Sequence, residues 1–451
     1  MEMIKPILSL LCLCSHVYGL EGGLEIKKKE RYMTIQHSED RGKHEIYTSM
    51  KDMENFFKEE MEYIEDLRAL YDKKLITIEA KQNVGAYIQS FEDVVGDQEE
   101  DASFMHNPLN AYNLIRHVAV GWGVVEGTLE DDAKKKHNNV GKRVLKALSR
   151  RNVTHVPDQP DLDGIAKGIV RLHDYYKFNT TQFVNEGVLD IGDGNIYETV
   201  GDLSVWDAFK IGVKGTNALI LGSGLQILDA ALEKANFEGV TTPTFIDEFE
   251  IKTLKNIVKT AKTVHDQKLD RWGDRTDQHS TNPFPYSKSL AKKKKFQKNL
   301  SKMEESIKLN SIHLNRAQET YQYMELCKGR DLRHVSVTSQ LYCKFSKGNH
   351  PTYEMGPLKV EIISLRPYVV VIHNFILETE AEEIKAKAEP SLRRSEMVGK
   401  NGTGSTDDRR VSEQTWLTEE DSEPLRIITR RSEHLIGDKE YRFSFLGLII
   451  S

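Results

Sequence analysis

A seven-residue apolar repeat near the start of the chain is the feature that most constrains its fold. Between residues 45 and 81 it comprises Met50, Phe57, Ile64, Tyr71 and Ile78, with Met53 and Leu67 on a neighbouring seam. This spacing predicts one long helix with an apolar stripe and a charged outer face. Glu60 and Lys74 interrupt the second seam. Periodicity alone therefore leaves two alternatives open: a helix packed inside its own domain, or a helix that pairs with a second copy.

Helices are also predicted beyond this repeat. The turn at His106-Asn107-Pro108 begins a helix, and Leu114, Ile115, Val118 and Trp122 share one of its faces. After a Gly- and Asp-rich linker at residues 185 to 201, a helical pair covers Ser204 to Lys214 and Gly224 to Lys234. In that pair, Gly212, Gly224, Leu228 and Ala231 have the spacing of a tetratricopeptide repeat. A further helix runs from Phe249 to about Arg271, and a polar linker from Asp274 to Pro285 follows it.

The composition indicates a charge-rich, helical protein of two or three domains. The chain has 451 residues, of which 39% are hydrophobic and 29% charged, with a formal net charge of -6. Acidic and basic residues are mixed along most of the chain, which argues against nucleic acid as a partner. A basic run at Lys292 to Lys295, with Lys298 and Lys302, is read as a solvated helix face or as a contact for an acidic partner.

The N-terminus predicts entry into the secretory pathway. Residues 1–19 carry Lys5, an apolar run from Ile7 to Cys14, and Val17-Tyr18-Gly19, a combination typical of a cleaved signal peptide. The alternative is an ordinary apolar first helix. No other window has the length of a membrane span, so no membrane span is expected.

Cysteines and glycosylation motifs fit a secretory chain. Removal of the signal peptide leaves Cys327 and Cys343, which we expect to form one disulfide in an oxidising compartment, with two free thiols as the alternative. The N-x-(S/T) motifs are at Asn152, Asn179, Asn299 and Asn401.

The C-terminal part reads as a different kind of structure. Two β-branched runs, Val360 to Leu365 and Tyr368 to Ile372, predict strands separated by Arg366-Pro367. A helix from Glu378 to about Ala388 should end before Pro390. This order predicts the start of a β-rich domain.

Several motifs in order resemble the collagen prolyl 4-hydroxylase α-subunit family. They are His106 to Arg116, Leu172 to Lys177, Tyr323 to Gly329, Leu341 to Phe345, and the catalytic-domain opening from Leu358 through Arg409-Arg410-Val411-Ser412 and Trp416-Leu417. The similarity ends after Asp438, so we expect the catalytic domain to be truncated in this chain.

The resemblance implies a mainly α fold followed by the beginning of a double-stranded β-helix (jelly-roll) domain. The expected divisions are residues 1–19 as signal peptide, 20–185 as helical dimerisation domain, 200–272 as tetratricopeptide-like peptide-substrate-binding domain, 273–345 as linker and helix with the cysteine pair, 358–438 as the start of the 2-oxoglutarate dioxygenase domain, and 439–451 as a divergent tail. We also expect residues 358 to 451 alone to be poorly ordered or prone to aggregate.

The family's reaction is hydroxylation of proline in X-Pro-Gly sequences with Fe(II), 2-oxoglutarate, O₂ and L-ascorbate. Its implied partners are protein disulfide isomerase, a second α subunit and a procollagen-like or proline-rich peptide, in the endoplasmic reticulum lumen. The family's iron site uses an H-x-D pair, and the sequence contains none. His37-Ser38-Glu39 is read as a chance match and His373 as a strand-end residue. We therefore expect no catalytic or metal residue and no hydroxylase activity in this chain.

The peptide-binding region departs from the family, whose groove is lined by tyrosines. No tyrosine occurs between Lys210 and Thr263. The residues predicted at the groove are Phe209, Leu219, Ile227, Leu254 and Ile257. Three hypotheses stand: a family enzyme subunit represented by a truncated sequence, a non-catalytic lumenal relative that dimerises or binds peptides, or a secretory helical-repeat protein with superficial likeness.

Overall fold

The computed structural model describes two separately packed units. The described residues are 46–72, 76–96, 102–135, 156–191, 196–199, 203–218, 220–241, 248–272, 285–298, 301, 316–348, 350–394, 397–398, 404–405, 412–436 and 446–450. The first unit lies within Glu45–Asp331 and the second within Leu332–Ser451. The division falls inside the segment that the sequence assigns to the cysteine pair.

The first unit is helical. Within the described residues its α-helices are α1 (Met50–Asp72), α2 (Ile78–Val95), α3 (Pro108–Lys135), α4 (Gln159–Tyr176), α5 (Thr180–Glu186), α6 (Val205–Asn217), α7 (Leu221–Thr241), α8 (Glu248–Trp272), α9 (Lys288–Ala291) and α10 (Arg316–Cys327). A short antiparallel pair, β1 (Leu189–Asp190) and β2 (Ile196–Tyr197), lies in the predicted linker. One hydrophobic core extends from α1 to α8.

The predicted long helix over residues 45 to 81 is wrong. Helix α1 ends at Asp72, and α2 begins at Ile78 after Thr77, whose side chain accepts a hydrogen bond from the Ala80 N–H at 3.3 Å. A capping threonine starts a new helix by satisfying an N–H that has no partner inside that helix. Ile78 is 83% exposed, and Met50 and Tyr71 are exposed as well, so only the middle of the heptad faces the core.

The middle of the stripe, from Met53 to Leu67, is buried inside its own unit. Met53, Phe57, Ile64 and Leu67 lie in the same core as side chains of α2 and α3. Glu60 is buried with them, and its carboxylate accepts a hydrogen bond from the Tyr87 hydroxyl at 2.8 Å. A charged residue therefore lies on the apolar face because the neighbouring helix provides a polar partner.

Helix α3 begins and packs as the sequence predicts. It starts at Pro108, and the Asn107 side chain accepts a hydrogen bond from the Leu109 N–H at 2.9 Å. The predicted inner face is buried: Leu114, Ile115, Val118 and Trp122.

The second unit is a mixed α and β structure with small cores. Its elements are α11 (Val335–Thr338), β3 (Cys343–Ser346), α12 (Thr352–Met355), β4 (Leu358–Leu365), β5 (Tyr368–His373), α13 (Glu378–Ala388), β6 (Arg393–Arg394), β7 (Met397–Val398), β8 (Gly404–Ser405), β9 (Glu413–Leu417), α14 (Glu423–Ile436) and β10 (Leu446–Ile450). The predicted strand pair and helix are confirmed at β4, β5 and α13.

Antiparallel pairing joins these strands into small sheets. The order is β3-β4-β5 in one sheet and β10-β9-β6 in another, with β7 and β8 forming a separate pair. The pairing within the described residues does not confirm the start of a jelly roll. The mainly helical class of the first unit is confirmed.

An ion pair holds α14 against α13 in this unit. Arg431 donates to both carboxylate oxygens of Glu380 at 2.7 Å and to the Phe375 carbonyl at 3.0 Å. The pKa of Glu380 is lowered, and the main cause is the hydrogen bonding from Arg431. Two parallel bonds fix the relative orientation of the two helices as well as their distance.

Among the described helices, none has the length and apolar character that a bilayer crossing requires.

Candidate peptide-binding site

The predicted helical pair packs at unusually short range. Helix α6 and α7 meet at Gly212 and Gly224, and a Cβ added to Gly212 would lie 2.7 Å from Leu228 Cγ. A Cβ on Gly224 would lie 2.9 Å from the Thr216 backbone nitrogen. The two helices approach this closely because both glycines lack a side chain. Leu228 and Ala231, the other members of the predicted spacing, are fully buried.

A buried aspartate in the first turn of α6 connects this pair to the preceding helices. Ser204 caps α6 and accepts a hydrogen bond from the Asp207 N–H at 3.1 Å. The Asp207 carboxylate in turn pairs with Arg116 Nε of α3 at 2.6 Å and accepts from the Tyr112 hydroxyl at 3.4 Å. Burial is the first cause that raises the pKa of Tyr112, and the charge of Asp207 is the second. The helical pair is thus anchored to α3 by a buried polar contact.

The predicted groove residues pack inside the helical layer. Phe209, Ile227, Leu254 and Ile257 are all buried members of the main core. Leu219 lies outside the described residues. Aliphatic and phenyl side chains turn inward here because removing their apolar surface from water stabilises the fold. Their contact with a peptide stays a prediction.

An open pocket of about 540 Å³ lies nearby, between α8 and the segment around α9. Its apolar floor is formed by Leu232, Val258 and Leu290. The polar lining consists of Lys255, Lys259, Lys262, Thr263, Asp266, Gln267, Asp270, Tyr286, Ser287, Ser289 and Lys293. We call this feature the lysine pocket.

The wall of the lysine pocket is fixed by Asp266. Its carboxylate accepts hydrogen bonds from the backbone N–H of Tyr286 at 2.9 Å and of Ser287 at 2.6 Å. His265 Nδ1 lies 3.2 Å from the same carboxylate. Lys293 adds an ion pair to Asp270 at 2.7 Å. These contacts hold the 285–298 segment against α8 and keep the pocket open.

The lysines of the pocket differ in their surroundings. Lys262 pairs with Asp229 at 2.7 Å and lies 5.0 Å from the centre of the Tyr286 ring. Lys255 and Lys259 are exposed one helical turn apart, and no ion pair joins either to another described residue.

Sequence reasoning missed the lysine pocket. The lysines at 255, 259 and 262 follow the spacing of one helix face, which was a readable signal within the predicted helix. Tyr286 lies beyond the linker after α8, so no local pattern connects it with these lysines. Only the fold brings it back onto that helix.

The two predicted disulfide cysteines lie in different units. Cys327 is half-buried at the end of α10 in the first unit, and Cys343 is exposed at the start of β3 in the second. Their disulfide stays a prediction.

Of the predicted glycosylation sites, Asn179 lies in the described chain. It is exposed at the start of α5, and its side-chain oxygen accepts from the N–H of Thr181 and Gln182. Asn152, Asn299 and Asn401 lie outside the described residues. Glycosylation stays a prediction at all four.

The described residues do not fit a dioxygenase iron site. His373 pairs with Glu361 at 2.7 Å across β5 and β4, and both side chains are exposed. No described group of three His, Cys, Asp or Glu side chains is arranged to hold a metal. A facial triad needs two histidines and a carboxylate together. His37 and Glu39 lie outside the described residues.

Comparison with known proteins identifies relatives over most of the chain. Residues 49–190 match the model of the prolyl 4-hydroxylase α-subunit N-terminal region. Prolyl 4-hydroxylase subunit alpha-1 of Caenorhabditis elegans is 24% identical over 86% of this chain and 67% of that protein. Subunits alpha-3 and alpha-1 of Bos taurus are each 23% identical, over 77% and 75% of this chain and 64% and 63% of those proteins. The chain spans about two thirds of the length of these relatives. The motifs, the helical N-terminal region and these matches agree that the chain is a relative of the prolyl 4-hydroxylase α subunits.

Proposed function

We propose that this chain serves as the assembly and peptide-recognition part of a procollagen-proline 4-dioxygenase type α subunit. The observation that carries the proposal is the close-packed pair of α6 and α7, which follows the matched N-terminal region and is anchored to it through Asp207. Helical pairs of this kind present an extended surface on which a peptide can lie.

The reaction proposed for the complete assembly is hydroxylation of proline in X-Pro-Gly sequences. It uses Fe(II), 2-oxoglutarate, O₂ and L-ascorbate. We assign no iron ligand to a residue of this chain, because the sequence has no H-x-D pair and the described histidines do not fit the triad. We therefore propose that this chain has no hydroxylase activity by itself.

The partners and compartment are part of the same proposal. A second α subunit is proposed to associate through the helical N-terminal region, and protein disulfide isomerase to complete the assembly. The signal-like residues 1–19 support a location in the endoplasmic reticulum lumen. A procollagen-like or proline-rich peptide is the proposed ligand of the helical pair.

A second candidate function is a non-catalytic lumenal relative that dimerises or binds other peptides. The specific observation in its favour is the lack of tyrosine between Lys210 and Thr263, where the resemblance implies an aromatic groove. Aliphatic side chains offer a proline-rich helix no rigid ring to stack on.

Two measurements on the purified full chain test the proposal. We expect a labelled peptide of repeated Pro-Pro-Gly triplets to bind with saturable fluorescence polarisation. We also expect no iron-dependent conversion of 2-oxoglutarate to succinate. Peptide binding without turnover supports the proposal, whereas turnover by the chain alone contradicts the assignment of no iron ligands. Failure to bind the peptide favours the second candidate.

A further inference from the structure

The lysine pocket contains lysines that have no acidic partner within it. Asp266 is committed to two backbone N–H groups, and Asp270 to Lys293. Lys262 is committed to Asp229. Among the described residues, this leaves Lys255 and Lys259 as the pocket lysines that no ion pair balances.

The two lysines are positioned to act together. They are four residues apart on α8, so their side chains rise from the same helix face. Like charges at this spacing destabilise a helix modestly, and an anion between them removes that cost. Both are exposed, so a ligand reaches them without any movement of the fold.

The rest of the pocket suits an extended peptide better than a small ion. Leu232, Val258 and Leu290 give it an apolar floor. Tyr286, half-buried in the 285–298 segment, also lines the pocket, and its ring lies 5.0 Å from Lys262 Nζ. Its volume of about 540 Å³ accommodates several side chains of a peptide.

We propose that the lysine pocket binds a carboxylate-bearing, proline-rich peptide, with Lys255 and Lys259 receiving the carboxylate and the apolar floor receiving a neighbouring proline. The inference rests on the proposed peptide-binding function and names the class of peptide. The preference for an acidic peptide is thereby assigned to α8 and the 285–298 segment. It is not assigned to the buried residues, such as Phe209 and Ile227, that the sequence predicted at the groove.

The test compares two labelled peptides on the full chain. Both consist of Pro-Pro-Gly triplets, with glutamate in place of some prolines in one and glutamine at the same positions in the other. We expect the glutamate peptide to bind about tenfold more tightly at low salt, the size of one charge-assisted contact. The preference should disappear at about 1 M salt, where screening extends over only about 3 Å.

Matched variants locate the preference. The double variant Lys255→Gln with Lys259→Gln should lose the tenfold difference while it still binds the glutamine peptide. The double variant Lys344→Gln with Lys347→Gln changes net charge equally at exposed lysines outside the pocket, and it should keep the difference. Circular dichroism verifies that both variants are folded.

Each other outcome overturns the inference in a recognisable way. Equal binding of the two peptides by the unmodified chain refutes the acidic preference but leaves peptide binding intact. A preference that survives in the Lys255 and Lys259 variant, or that both variants lose equally, shows that the pocket is not its source. Binding of neither peptide refutes the proposed function and the inference together.

Discussion

At the scale of single residues, buried polar groups distinguish the helical unit from a purely apolar bundle. His173 is buried on α4, and its Nε2 lies 2.8 Å from the Thr180 hydroxyl. Burial first, and then the charge of Lys177, lower the pKa of His173 from 6.5 to about 4. Between pH 6.5 and about pH 4, His173 is therefore protonated in the unfolded chain but neutral in the folded chain.

This sign predicts acid destabilisation of the first unit. As the pH is lowered from 6.5 to about 4, the free energy of unfolding should fall. The contribution of His173 to this fall is roughly 3 kcal/mol at most. His173→Gln should flatten that part of the profile, measured by urea unfolding at a series of pH values. The control is His106→Gln, at an exposed histidine of the same unit. An unchanged slope in His173→Gln would contradict the prediction.

The Glu60 contact gives a second prediction at this scale. Tyr87→Phe removes the hydroxyl that donates to the buried Glu60 carboxylate but keeps the ring against His117. We expect a loss of about 1 to 3 kcal/mol in the free energy of unfolding, because a buried carboxylate loses a donor. Tyr71→Phe, on an exposed ring of α1, should change stability by much less. Equal losses of stability in the two variants would contradict the explanation that the hydrogen bond to Glu60 stabilises the fold.

At the scale of elements, the crossing of α6 and α7 depends on two glycines. Gly212→Ala and Gly224→Ala should each destabilise the first unit by about 1 to 3 kcal/mol, because the added methyl overlaps packed atoms. Gly224→Ala should be the harder to accommodate, since its nearest neighbour is a backbone nitrogen.

Gly168→Ala is the matched control for that prediction. Gly168 lies inside α4, and a Cβ there would meet no atom within 4 Å. We expect this variant to be neutral or to gain up to about 1 kcal/mol, because alanine is the better helix former. Thermal unfolding of the three variants provides the comparison. If Gly168→Ala loses as much stability as Gly212→Ala, the close crossing of α6 and α7 is not the cause of the loss.

At the scale of the whole molecule, the two units differ in how much apolar surface they bury. The core of the first unit joins residues of α1 through α8, whereas the second unit has separate small clusters around Ile384 and Leu358. Large side chains of the second unit are well exposed, among them Phe345, Tyr368 and Trp416.

These features predict that residues 358 to 451 expressed alone will not fold cooperatively. Small apolar clusters stabilise a chain weakly, and the edge of a sheet offers backbone groups to other chains. We expect a broad thermal transition and concentration-dependent light scattering. A fragment of residues 45 to 331 is the control and should melt cooperatively. A sharp, reversible melt of the shorter fragment would contradict the prediction.

The sequence by itself determined many of the local elements and pointed to the relatives of this chain. Pro108 and Ser204 mark helix starts, and β-branched runs mark the strands β4 and β5. The order of several short motifs points to the relatives. All these signals depend on residues that are neighbours in the chain. Tertiary structure alone decided where polar groups found partners. Glu60 became a core residue because Tyr87 lies beside it, and Tyr286 joined Lys255 and Lys259 because Asp266 binds its backbone. Such contacts join residues far apart in the chain, and sequence periodicity carries no information about them.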